Sequence, residues 1–272
     1  MTATHPRPLA LITGASAGIG AEFARQLAAG GHDLALTARR ADRLQALADE
    51  LNAAHGIHCQ TISADLSEPQ APQSVVEAVA AGGRRVDVLI NNAGYAIAGH
   101  YHTTDWPQQA RFLQVMVNVV CELSHRVLPG MREAGGGKIV NVASLAGIVP
   151  GSAGHTLYAA SKAFLIKFSE SLAMESAARG IRVQALCPGF TYSEFHDVVG
   201  TRDIVSKLPS WMWMQAEEVV AYSLEQLNQP GSPVMAVPGR ANRMIAALSR
   251  KLPYGSAYRL VERRSGDFRR QD

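Results

Sequence analysis

Short apolar runs alternate along this chain with longer segments of helical period, and few folds other than a helix-covered parallel sheet accept that pattern. The expected strands are Leu9–Thr13, Asp33–Ala38, Ile57–Ser63, Val86–Ile90, Lys138–Ala143, Ile181–Leu186 and Val234–Val237. Helical segments lie between them near 19–29, 41–54, 72–81, 105–133, 156–178 and 216–228. Gly30-Gly31, Gly82-Gly83 and Gly180 supply stops for three of them. Strand runs that are apolar on both faces belong in a sheet covered on each side. The expected class is therefore α/β, a doubly wound parallel sheet of seven strands with helices on both faces. It forms one domain over 1–272, with tails at 1–7 and about 253–272.

Composition narrows the function. Hydrophobic residues make up 47 % of 272 and charged ones 18 %, enough to bury a large core without metal or disulfide support. Cys59, Cys121 and Cys187 are far apart and odd in number, so neither a disulfide framework nor a bound metal is expected, and the cytoplasm is the expected compartment. The polar start lacks a signal core, and no run approaches about 18 apolar residues, so no transmembrane segment is expected. Residues 240–272 hold nine Arg/Lys against Glu262, Asp267 and Asp272, while the rest of the chain is mildly acidic. That distribution does not fit a nucleic-acid-binding domain.

The first strand runs into Thr13-Gly14-Ala15-Ser16-Ala17-Gly18-Ile19-Gly20 and then a helix. Glycines there permit a tight turn and bring a phosphate close to backbone N–H groups at a helix N-terminus. The spacing is GxxxGxG, not the more common GxGxxG. An NAD enzyme usually carries an acid at the end of the second strand, and an NADP enzyme an arginine. This chain reads Thr37-Ala38-Arg39-Arg40. A guanidinium holds a 2′-phosphate that a carboxylate would repel, so NADP(H) is the expected cofactor, with Arg39 favoured over Arg40.

Ser144 follows the fifth strand, and Tyr158-Ala159-Ala160-Ser161-Lys162 opens a long helix fourteen residues later. Tyr158 and Lys162 at i and i+4 share one helical face. A tyrosine with a pKa of about 10 is a poor acid–base group at neutral pH, and a nearby ammonium favours its phenolate. A serine hydroxyl at the strand end would hold a substrate oxygen.

In this combination the chain resembles the short-chain dehydrogenases/reductases, over essentially residues 8–240. The family's TGxxxGxG matches Thr13–Gly20, including Gly14, Ser16, Gly18, Ile19 and Gly20; its acid near the adenine matches Asp65, followed by Leu66. Its NNAG matches Asn91-Asn92-Ala93-Gly94, its helix asparagine Asn118, its serine Ser144, its YxxxK Tyr158 and Lys162, and its PG Pro188-Gly189. The resemblance implies a Rossmann-like fold and a nicotinamide cofactor that carries a hydride. Tyr158 would be the proton donor and acceptor and Ser144 would orient a carbonyl. Lys162 would hold the nicotinamide ribose, and Asn118 would position a relay water. It also implies the reductive direction, and pairing of subunits through the helices at 105–133 and 156–178 into a homodimer or homotetramer. The chain departs from the family's PGxVxT by reading PGFTYS, so Thr191 and Ser193 compete for the carboxamide contact.

About 27 residues at 189–215 separate a strand from the next helix, more than a connection needs, and a lid over the site is expected. Phe190, Phe195, Trp211 and Trp213 would form its apolar wall with Tyr95, predicting an apolar carbonyl/alcohol substrate. Tyr101, His100 and His102 are read as rim or packing residues, His155 as a helix cap, and His58 and Cys59 as structural. Ala241, Met244, Ile245, Leu248 and Leu252 make a basic amphipathic helix over 240–252. Packing on the body or a sister subunit is favoured there over contact with an anionic membrane surface. The chain thus reads as an NADP(H)-dependent carbonyl reductase or alcohol dehydrogenase. The alternatives are a catalytically silent NADP(H)-binding sensor or scaffold, and an epimerase relative disfavoured by length.

Overall fold

The computed structural model describes residues 7–97, 99–195, 206 and 209–264. Its main sheet has seven parallel strands in the order β3-β2-β1-β4-β5-β6-β9. They are β1 (Leu9–Thr13), β2 (Asp33–Ala38), β3 (Cys59–Ser63), β4 (Val88–Asn91), β5 (Gly137–Val142), β6 (Ile181–Leu186) and β9 (Met235–Ala236). A two-residue parallel pair, β7 (Phe190–Thr191) with β8 (Trp213–Met214), stands apart from it. The helices are α1 (Gly18–Ala29), α2 (Ala41–His55), α3 (Ala71–Ala81), α4 (Trp106–Leu113), α5 (Val119–Glu133), α6 (Thr156–Ser176), α7 (Ala216–Asn228), α8 (Arg240–Lys251) and α9 (Tyr254–Arg264).

Strand alternation decides which helix covers which face. Ala10 and Ile12 point with Leu34 and Leu36 into one core, closed by Phe23 of α1, Leu44 of α2 and Val219 of α7. Leu9 and Leu11 point the other way, into a core shared with Val75 of α3 and Val119 and Leu123 of α5. A third cluster joins Leu165 and Ile166 of α6 to Cys187, Val237 and Ala246 of α8. Each layer buries apolar area on both faces of the sheet, and about 25 cal/mol per Å² makes this burial the main force for the fold.

The strand order reverses between β1 and β4, and that crevice is stitched by one side chain. Thr13 Oγ1 accepts from the backbone N–H groups of Asn92 (2.9 Å) and Ala93 (3.0 Å) and donates to the Ile90 carbonyl (3.3 Å). Asn92 Nδ2 returns bonds to the carbonyls of Thr13 and Gly14. Beneath lies a buried polar chain: Asn91 Nδ2 donates to Asn141 Oδ1 at 2.8 Å and Asn141 Nδ2 to Ser169 Oγ at 2.9 Å, joining β4, β5 and α6.

Several boundaries differ from expectation. The strand expected at Ile57–Ser63 begins at Cys59, whose N–H is taken by Asn52 Oδ1, while Asp33 Oδ1 takes the His58 N–H. The strand expected from Val86 begins at Val88, after Asp87 has used its carboxylate on the Leu9 N–H. The single helix expected over 105–133 is broken by a π turn over Gln114–Asn118. The expected tail from 253 is the helix α9 as far as Arg264. In the helix at 240–251, Asn242 and Ala246 are buried against the body, whereas Met244 (64 % exposed) and Leu248 (51 %) of the apolar row face outward. Among the described residues no helix is long and apolar enough to cross a membrane.

Candidate active site

The glycine turn sits at the carboxyl end of β1. Gly14 (φ +66°) and Gly18 (φ +55°) adopt left-handed conformations that other residues rarely hold. A Cβ on Gly14 would stand 2.9 Å from both the Ala93 Cα and Asn92 Nδ2, and one on Gly20 would run into the Gly14 carbonyl. The first turn of α1 carries no acidic residue to offset its N-terminal partial charge. This cradle of bare backbone at a helix N-terminus fits the diphosphate of a dinucleotide. Gly94 is closed from behind by Met116 Sδ, 3.0 Å from where a Cβ would lie.

At the adenine end the two arginines differ in what they touch. Arg40, not Arg39, reaches the turn: its Nε and NH2 donate to Ser16 Oγ at 3.3 and 3.0 Å, and its NH1 donates to Glu194 at 3.0 Å. Arg43 donates to the other Glu194 oxygen at 2.6 Å. Arg39 is exposed and acts through its charge on Asp65. The Asp65 carboxyl lies below its usual range chiefly because the Ser67 N–H donates to it at 2.9 Å. Leu66 and Ile19, both expected at the cofactor, turn their side chains into the core or against it.

Ser144, Tyr158 and Lys162 converge at the carboxyl ends of β5 and β6. Tyr158 is hydrogen-bonded to Ser144, and Lys162 Nζ lies 5.6 Å from the centre of the Tyr158 ring. Lys162 is only 5 % exposed and donates to the Val142 carbonyl at 2.6 Å. Burial lowers its pKa to about 8 and pushes the Tyr158 phenol up, against the Ser144 hydrogen bond that pulls it down. Pro188 fixes the serine loop by accepting from the Leu145 N–H at 2.9 Å.

Asn118 does not join this group through its side chain. It ends the π turn, is exposed, and donates from Nδ2 to Gln114 Oε1 at 2.8 Å on the outward face. The π turn itself packs against α6.

After Pro188-Gly189, Thr191 is buried and donates to the Gly189 carbonyl at 3.2 Å, while Ser193 stands against Gly18. Ser193 is the one of the two that faces the phosphate turn. Of the expected substrate residues, Phe195 meets Tyr158 with ring centres 5.9 Å apart, and Tyr95 packs edge-on against Phe112. Phe190 and Tyr192 close on Trp213, which is buried, whereas Trp211 is 61 % exposed. The β7–β8 pair thus ties together the two ends of the expected lid, whose residues 196–205 and 207–208 lie outside the described ones. His155 takes the position before α6, and burial keeps its imidazole neutral beside Tyr158. A cavity of about 20 Å³, room for one water, lies beside Tyr158, lined by Tyr101, Phe112, His155 and Leu157 among others.

Three supporting residues escaped the sequence reading. Gly147 lies flat on the backbone of Lys162, where a Cβ would come within 2.6 Å of its carbonyl carbon; a glycine just after the serine was the available signal. Asn242 of α8 is buried against Gly189 and donates to the Pro238 carbonyl at 2.9 Å, from a helix expected to pack through its apolar row instead. Glu194 had no local signal.

Residues 8–203 match the family model described as short chain dehydrogenase. The chain is 34 % identical over 195 residues to a very-long-chain 3-oxoacyl-CoA reductase of Anas platyrhynchos, covering 70 % of this chain and 61 % of that protein, less than two thirds of its length. It is 37 % identical over 189 residues to sulfoacetaldehyde reductase 2 of Chromohalobacter salexigens, covering 69 % and 74 %. The solved short-chain dehydrogenase from Sphingobium yanoikuyae in complex with NADPH superposes with a TM-score of 0.79 at 32 % identity, over 97 % of each chain. With the match to the family model spanning most of its length, the chain belongs to the short chain dehydrogenase family.

Proposed function

We propose that the protein is an NADP(H)-dependent oxidoreductase that interconverts an apolar ketone or aldehyde and its alcohol, with Tyr158 as general acid and base. The observation that carries this reading is the Ser144–Tyr158–Lys162 group beside the glycine cradle, half-buried at the serine and tyrosine and buried at the lysine. When bound, NADP(H) supplies or accepts the hydride. The glycine turn and Ser193 would hold its diphosphate, Ser16 and Arg40 its 2′-phosphate, and Asp65 its adenine. Ser144 would donate to the substrate oxygen and align it with Tyr158, and the phenol, kept protonated by burial, would deliver its proton to that oxygen. Lys162 holds positive charge under the ring and keeps the helix face fixed through Val142.

The two relatives' names point to dissimilar carbonyls, so substrate class is argued from the pocket. Phe195 over Tyr158, Tyr95 on Phe112 and the half-open Tyr101 favour an apolar group next to the carbonyl. Exposed Phe164 and Met174 on α6 support a homodimer or homotetramer built on that helix and α5.

The test is loss of NADPH absorbance over a panel of ketones, aldehydes and 3-oxoacyl esters, with wild type beside Tyr158→Phe. Losing the proton donor should lower kcat by about 10²- to 10⁴-fold while NADPH affinity stays within twofold. Turnover that survives the substitution, or faster turnover of small charged keto acids than of bulky apolar ketones, would refute the assignment.

A further inference from the structure

Glu194 bridges two parts of the molecule that the reaction would need to communicate. One carboxylate oxygen accepts from Arg40 NH1 at 3.0 Å and the other from Arg43 NH1 at 2.6 Å. The same Arg40 guanidinium holds Ser16 Oγ of the glycine turn. These two hydrogen bonds keep the Glu194 carboxyl below its usual range. An anion with two oxygens spread over two guanidiniums beside a serine hydroxyl presents the same charge pattern as a phosphate monoester. Glu194 also lies between Ser193, which stands against Gly18, and Phe195, whose ring meets Tyr158.

We propose that Glu194 is an internal competitor for the cofactor's 2′-phosphate: it occupies the Arg40–Arg43 pair in the free enzyme and is displaced when NADP(H) binds. The inference rests on the NADP(H) reading above. Its consequence is that the preference for NADP(H) over NAD(H) is smaller than the arginine pair alone would give. Displacing Glu194 also moves the neighbouring Phe195 and so signals cofactor occupancy to the substrate wall.

The experiment titrates the full chain with NADP+ and with NAD+ by calorimetry, for wild type, Glu194→Gln, Arg40→Ala and the double variant. Arg40 and Glu194 are 42 % and 45 % exposed, so two ion pairs of ordinary surface strength together amount to about a three- to tenfold effect. Glu194→Gln should tighten NADP+ by that factor and leave NAD+ within about twofold. The gain should shrink at 0.5 M salt, and most of it should vanish in the Arg40→Ala background. NADP+ affinity that is unchanged or weakened by Glu194→Gln, in an enzyme that still prefers NADP+, overturns the competition alone. A wild-type enzyme with no preference for NADP+ overturns the 2′-phosphate assignment and the competition together.

Discussion

Replacing Lys162 with methionine should stabilise the protein while abolishing turnover. The ammonium is buried and its one hydrogen bond runs to the Val142 carbonyl. Burial moves its pKa from the ordinary 10.5 to about 8. At about 1.4 kcal/mol per pH unit, holding that charge in the folded state costs about 3 kcal/mol at neutral pH. Methionine fills similar volume without the charge, and the carbonyl it leaves unpaired costs about 1 kcal/mol. The net expectation is a gain of about 2 kcal/mol at pH 7. The sign follows from proton binding. Below pH 8 both folded and unfolded chains carry the proton and the penalty is fully present. Between about 8 and 10.5 the unfolded chain binds more protons, so wild-type stability rises with pH relative to the variant. Urea unfolding of both proteins at pH 7, 8.5 and 10, read as midpoints at a common slope, measures the difference directly. A variant less stable than wild type at pH 7, or an advantage that does not fall with pH, would refute the argument that Lys162 is held against its solvation preference.

Two further outcomes test other parts of the structure. Asn141→Ala cuts the buried chain between Asn91 and Ser169, leaving both with polar atoms out of reach of water, and should cost about 2–4 kcal/mol in urea unfolding; a loss below 1 kcal/mol would show that the network relaxes around the gap. Light scattering of the purified protein should give a dimer or tetramer mass, and a monomer at micromolar concentration would remove the proposed role of α5 and α6.

Much of the architecture was legible because the cause was local. Strands β1, β2 and β6 and helix α7 fall on the expected residues, since both-face apolar runs and 3.6-residue periodicity act within a few positions of the residues they govern. The convergence of Ser144, Tyr158 and Lys162 was legible for a different reason: Ser144 follows the end of β5, and the i, i+4 spacing puts Tyr158 and Lys162 on one face near the start of α6. What escaped depends on distant partners. Arg40 and Arg39 are adjacent and chemically alike, and what separates them in the fold is that Arg40 meets Ser16 and Glu194, the latter 154 residues away. Asn118 falls within a helix expected to run unbroken over 105–133, but a π turn interrupts it there and the Asn118 side chain is exposed. The row Met244–Leu248 has the period of a packing face, yet α8 is fixed instead by Asn242 beneath Gly189, which no periodicity announces.

That last contact changes how the carboxyl-terminal part should be handled. Because Asn242 fills the space under Gly189 and Ala246 closes the third core cluster, the chain past β9 is a floorboard of the catalytic chamber rather than an appendage. Trimming by a protease before Ala246 would damage the reaction without touching a reacting group, and a fusion joined there would do the same. An affinity handle belongs beyond Arg264, where it leaves that floor in place.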